Sequence, residues 1–187
     1  MKVPILSTAE QNRYLQETVK LSLDNFSLAA HLVELLKEYA DVRKAPPQAT
    51  VLLRGLGRCV DIPGRNCGFV TTPVIQMAIL DCRRTLAFFG ISRDARTQRL
   101  IKAARHHQDD LSIGHFGLST ITPTDLMAKI GRCNIEQTLV KIHQWASKRL
   151  AHYTLTGTEV SFDEIRDAST AMIQAYLLNL VKYSDTD

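Results

Sequence analysis

Few of the features that announce a chemistry are present in this chain of 187 residues. Its four cysteines, Cys59, Cys67, Cys82 and Cys133, form no CxxC pair and follow no regular spacing, so neither a zinc knuckle nor a dithiol redox motif is expected. Each reads as a small buried hydrophobe carrying a free thiol, in keeping with a reducing cytoplasm. No apolar run approaches the ~18 residues that a membrane helix needs. Met1-Lys2-Val3-Pro4 is followed by only a few apolar residues before Ser7 and Thr8, so no secretory leader is expected. Serine-nucleophile signatures of the GxSxG kind are absent. Arg54-Gly-Leu-Gly-Arg58 is neither GxGxxG nor GxxxxGK, and it does not join a clear strand to a helix as a phosphate loop would. Aromatic residues make up 6% of the chain, with a single tryptophan, and β-branched runs are short.

What remains is an ordinary globular composition, 45% apolar and 22% charged, whose alanine, leucine, glutamine and lysine fall in long periodic stretches. The length fits one domain. It is sufficient to bury roughly 70% of the unfolded surface without disulfides or metal. The expected fold is all-α: a single bundle, residues 1–187, of four long helices plus one or two short ones, with a Gly/Pro/Arg-rich irregular insertion near 45–70.

Leu15, Val19, Phe26, Ala30, Val33 and Leu36 predict a helix over 8–40, as one piece or as two halves joined near Asn25. Pro46-Pro47 ends it. A short strand or turn fits Thr50–Leu53 within the insertion, and a connection this long is usually functional or partly disordered. Thr72 as N-cap with Pro73 in the first helical position predicts a second helix over Val74–Phe89, closed by Gly90. It is apolar nearly all round and so should be central. Asp81, Arg83 and Arg84 interrupt it, the arginines expected at a seam or dimer interface, with an ion pair to Asp81 across one turn. Ser92 caps an expected helix over 93–108, and residues 109–121 read as a loop. Thr122-Pro123 opens a short helix ending at Gly131. Asn134, with Gln137, caps a helix over 135–153, and Ser161–Glu164 is a capping box for the last helix, 162–183.

Charge is unevenly placed. Between Arg43 and Arg65 lie Arg43, Lys44, Arg54, Arg58 and Arg65 against Asp61 alone, a surplus equal to the whole net charge of +4. Such a segment is either a solvated loop or a contact for an anionic partner such as nucleic acid. His106, His107, Asp109, Asp110 and His115 resemble a metal-ligand cluster, but adjacent histidines near a helix end more often meet the helix dipole, and no HExxH or ExxH pattern accompanies them. No cofactor or metal is expected.

The helix over 135–153 carries the strongest candidate. Ile135, Leu139, Ile142, Ala146 and Leu150 share its core face, and Lys141, Trp145, Lys148, Arg149 and His152 gather on the flank. Its ending, Leu150-Ala151-His152, then a polar loop and the capped last helix, resembles the HEPN superfamily, in particular its abortive-infection (AbiU-type) bundles. The resemblance covers roughly residues 70–183 and includes the apolar helix with Asp81-Cys-Arg-Arg84. It implies RNA as partner, a protein antitoxin or other protein partner, and a homodimer; the lack of a long apolar run gives the expectation of no membrane contact. In such enzymes a histidine acts on the 2′-hydroxyl and an arginine steadies the phosphorane, without metal. The motif arginine would sit at 145–147, which hold Trp, Ala and Ser, while Arg149 stands three residues before His152; the literal Arg-x6-His spacing occurs only at Arg99 and His106. His152 and Arg149 are therefore the candidate catalytic pair of a weak or degenerate ribonuclease, with Lys141, Trp145, Lys148, Arg54, Arg58 and Arg65 as candidate RNA contacts. The competing expectation is a non-enzymatic helical interaction or dimerisation module.

Overall fold

The structure is a computed structural model that describes residues 4–41, 48–53, 58–66, 68–103, 111–150 and 159–180, with backbone alone at 35–36, 38–41, 48–53, 58–66, 68–70 and 149–150. It is mostly helical, with two separate two-stranded antiparallel sheets. Helices α1 (Thr8–Tyr14) and α2 (Lys20–Asp41) form one continuous rod joined by a π-helical turn at Leu15–Val19. Then come β1 (Gln48–Leu53), β2 (Arg58–Asn66), α3 (Gly68–Phe88), β3 (Ile91–Asp94), β4 (Arg99–Lys102), α4 (Pro123–Ile130), α5 (Ile135–Trp145) and α6 (Phe162–Leu180). A 3₁₀ turn at Ile113–Phe116 interrupts the segment expected as loop, and a second π-helical turn, Ala146–Leu150, continues α5. No helix among the described residues is long and apolar enough to cross a membrane.

Helix α3 is the centre. It packs against α2, α5, α6, the second π-turn, β2 and β3. Ile75, Ala78, Ile79, Cys82, Leu86, Phe88 and Phe89 on or just past it are buried, while Met77 is exposed. The predicted stripe of α6 is buried in full: Ile165, Ala168, Met172, Tyr176 and Leu180. So is that of α5 at Ile135, Leu139, Ile142 and Ala146; the Leu150 side chain lies outside the described residues. An aromatic cluster fills one end, with Phe88 against Tyr14, Phe89 and Phe116 at centroid distances of 5.4–5.7 Å. Polar pins set the helices in register. Asn25 Nδ2 donates to Asp81 Oδ2 at 2.8 Å between α2 and α3, and Thr85 Oγ1 donates to Tyr176 Oη at 3.0 Å between α3 and α6. Asn25 is thus a contact inside α2, and the break in the rod falls instead at the π-turn.

The terminal signals at α4 and α6 act as the sequence implies. Thr122 Oγ1 accepts from the Asp125 amide at 3.1 Å, Pro123 takes the first position, and Gly131 ends the helix at φ +65°. At α6 the Glu164 amide donates to Ser161 Oγ at 3.2 Å and the Ser161 amide to Glu164 Oε2 at 2.9 Å. Gly90 likewise sits at φ +80°, past the end of α3.

Four expectations are corrected. The expected helix over 93–108 is a hairpin, β3–β4, as far as residue 102. Asp94 closes its turn: one carboxylate oxygen accepts from the Arg96 amide at 2.9 Å, the other from Thr97 Oγ1 at 2.7 Å, and Gln98 stands at φ +54°. An aspartate that bonds its own chain two residues on makes a turn where the charge spacing suggests a helix. The insertion near 45–70 is not irregular throughout, because β1 and β2 pair from Leu53 opposite Arg58 out to Gln48 opposite Asn66. β-branched Thr50, Val51, Val60 and Ile62 favour that extended backbone. The all-α expectation holds in outline, since the described residues are mostly helical. Helix α3 begins at Gly68, so Thr72 is not its cap; the fixed φ of Pro73 suits any early helical position, and buried Thr71 anchors the extra turn. Finally, Asn134 makes no side-chain cap, since it sits at φ +62°.

Phe89→Ala should lower unfolding stability by about 3–5 kcal/mol in urea titration, as expected for an aromatic in a closed core. A loss below about 1 kcal/mol would mean that the aromatic cluster does not hold this end together.

Candidate functional site

Of the flank of α5 read as a basic ribbon, the structure describes the side chains of Lys141, Trp145 and Lys148. Lys141 Nζ donates to Glu164 Oε1, the same carboxylate that closes the cap of α6. Trp145 is half-buried against the core and lines a small cavity of about 190 Å3 with Ile75, Ile79, Phe162 and Ile165. Both side chains therefore join α5 to its neighbours. Lys148 is exposed on the π-turn. The backbone of Arg149 lies in that turn, but its side chain, and His152 altogether, lie outside the described residues. Arg54 lies outside them too, and Arg58 and Arg65 are described as backbone positions of β2. Of the histidine–carboxylate cluster only His115 is described; its Nδ1 accepts from the Ser112 amide at 3.0 Å. Among the described residues no three His, Cys, Asp or Glu side chains are placed to hold a metal ion.

The residue that sequence reasoning missed is His143, two positions beyond Lys141 on another side of α5. Burial holds its imidazole neutral, with the Arg83 and Arg93 guanidiniums adding to the effect, and together they depress its pKa from 6.5 to about 4. Three elements converge to make this setting: α3 supplies Arg83, β3 supplies Arg93, and α5 supplies the histidine. Ser147 Oγ, one turn on within the π-turn, donates to the His143 carbonyl at 2.8 Å and stands 3.5 Å from its Nδ1. The π-turn widens the helix here and lets a side chain take up a carbonyl near its end; such turns recur at functional sites.

Two cations beside a buried neutral ring have a shortage of negative charge. Arg93 Nε is buried and has no hydrogen-bond partner among the described residues. A buried donor left unpaired is costly, and an anion placed there would satisfy it. A cavity of about 840 Å3 between the β3–β4 hairpin and α4 lacks this imbalance, because its Arg99 pairs with its Glu136 at 3.2 Å. His143, Arg83 and Arg93, with Ser147, are therefore the candidate anion site. No local signal marks it. Arg83 was legible as a seam residue, but reading 93–108 as a helix moved Arg93 away from α5.

Comparisons with family models, with curated proteins and with solved structures give no match for this chain.

The depressed pKa has a consequence for stability. Between about pH 6.5 and about 4 the unfolded chain binds a proton at His143 that the folded chain refuses. Stability should therefore fall as pH drops through that window, by up to about 3 kcal/mol, and level off below it. Urea midpoints measured from pH 7.5 to 3.5 should show a smaller slope for His143→Gln than for wild type. Equal slopes would mean that the imidazole titrates normally.

Proposed function

We propose that this chain is an HEPN-like, RNA-directed protein of a defence or toxin–antitoxin type system, and that it holds RNA phosphates more readily than it cuts RNA. The observation that carries the reading is the neutral His143 imidazole beside two guanidiniums, one with an unpartnered buried Nε. Metal-independent RNA cleavage uses a neutral imidazole as base and a cation at the phosphorane. An imidazole with a pKa of about 4 is unprotonated at pH 7 but draws a proton weakly, which suits binding better than fast cleavage. A phosphate arriving between Arg83 and Arg93 would offset the charges that depress His143 and raise its pKa toward neutrality.

In this reading α2, α3, α5 with its π-turn, and α6 are the four helices of the bundle. Arg149 and His152 remain the pair that the family resemblance implies, and Arg54, Arg58, Arg65 and Lys148 are further phosphate contacts. A cytoplasmic location, a homodimer and a protein antitoxin belong to the same proposal. The alternative, a non-enzymatic interaction module, has support of its own: Leu177 and Leu178 near the end of α6 are about half exposed. Neighbouring leucines left in water are what a helix-docking partner covers.

Binding of a single-stranded RNA, followed by fluorescence anisotropy against salt, tests the choice. Affinity should fall steeply as salt rises. Arg83→Ala and Arg93→Ala should each weaken binding by roughly tenfold and reduce the salt slope by about 1. Binding that ignores salt and both substitutions would favour the interaction module. Incubation with total RNA in EDTA locates any cleavage. Loss in His152→Ala assigns it to the pair implied by the resemblance, and loss in His143→Ala assigns it to the buried cluster. Binding without cleavage identifies a pure binder.

A further inference from the structure

A second groove, of about 630 Å3, runs between the first helical rod and α3 and shares Arg83 with the candidate anion site. Its size falls within the roughly 300–1,000 Å3 of small-ligand sites. Tyr14 and Leu21 line one side, Met77, Leu80 and Phe88 the other. Tyr14 and Phe88 stack on each other at 5.5 Å with an interplanar angle of 21°, so the apolar surface the groove leaves open is that of Leu21 and Met77, both exposed.

Asp81 lies at the bottom of the groove, its side chain 5% exposed. Asn25 donates to one of its oxygens at 2.8 Å, and Arg84 approaches the other at the long distance of 3.4 Å. Arg84 is itself 64% exposed, so this contact is a weak one. A carboxylate offers about four acceptor positions, and these two, its donors among the described residues, leave capacity unused. A buried carboxylate so sparsely satisfied is costly, and a ligand that brings donors to it relieves that cost. A simple cation does not suit the groove, because Arg83 and Arg84 both line it. The arrangement asks for a flat, uncharged edge bearing N–H donors, carried on a molecule whose anionic group reaches the arginines. Nucleotides combine these properties. Among the common bases, guanine alone shows two adjacent donors on its pairing edge, N1–H and the 2-amino group, which match the two oxygens of one carboxylate.

We infer that this groove binds a guanine nucleotide, with Asp81 reading the base edge, Leu21, Met77 and Leu80 packing against the ring, and Arg83 at the phosphate. The nucleotide is either free or one unit of an RNA strand. The strand-borne form rests on the RNA-directed reading above; the free form does not.

Calorimetry on the full chain with GMP, IMP and AMP, and anisotropy with RNA oligonucleotides that contain or lack guanine, test the inference. IMP differs from GMP only by the 2-amino group. GMP should bind roughly tenfold or more tightly than IMP or AMP, since a hydrogen bond to a charged acceptor is lost. Asp81→Asn should erase the difference, whereas Arg83→Gln should weaken all three nucleotides alike and keep their ratios. Asp81 also holds α2 to α3, but the wild-type comparison needs no variant: equal affinity for GMP, IMP and AMP overturns the inference even if Asp81→Asn does not fold. RNA that binds with no preference for guanine overturns it too, while leaving the phosphate reading intact. GMP binding without RNA binding supports the groove as a mononucleotide site and removes the RNA reading. Absence of binding by every probe overturns both.

Discussion

The burial of α3 is the contact on which the rest of the structure depends. A helix enclosed by α2, α5, α6 and β3 must be apolar on most of its circumference, and Ile75 through Phe89 meet that demand. Apolar contact alone fixes the position of such a helix poorly, because ridges of similar side chains can slide past one another. The few polar groups on α3 remove that freedom. Asp81 finds Asn25 on α2, and Thr85 finds Tyr176 on α6; each pair is satisfied in one register only. The low-dielectric surroundings that make these pairs specific also act on their neighbours. Burial and the Asp81 charge push the Tyr14 hydroxyl up to about 12, and burial holds the Cys82 thiol protonated, as an inert core residue.

The same burial produces the candidate sites. Arg83 and Asp81, two residues apart on α3, both line the groove beside the first rod, and the Arg83 charge acts on His143 of α5 as well. One helix thus serves a cluster short of negative charge and a groove with a buried carboxylate to satisfy. His143 is held neutral because its ring is half-buried and largely desolvated, and the guanidiniums add to what burial begins. In such surroundings a bound phosphate and a proton on His143 support one another, so ligand affinity and pH are linked through a single imidazole.

Much of the fold was legible in the chain because the signals are local. Thr122-Pro123 with Gly131, Ser161 with Glu164, and Gly90 mark helix ends through the amides and dihedrals of their own turns, which need no distant partner. The core stripes of α5 and α6 were legible because periodicity at 3.6 residues is a property of the segment itself. The site was less so. Lys141 and Trp145 share a flank on a helical projection, but whether a flank meets water, a carboxylate or another helix depends on what packs there, and Glu164 and Phe162 arrive from α6. Each π-turn inserts an extra residue into a helical turn and shifts the phase of the residues beyond it, which a regular projection does not foresee.

By itself, then, the sequence determined a mostly helical protein with its helix ends, its core faces and a segment of concentrated positive charge, all set within a turn or two of chain. Tertiary structure alone decided that the Arg93 charge acts on His143, and that Asp81 lies at the bottom of a groove. The physical reason is range. Propensity and capping act through neighbours in the chain, whereas desolvation and charge act through space, and their strength at any residue is unknown until the elements around it are in place.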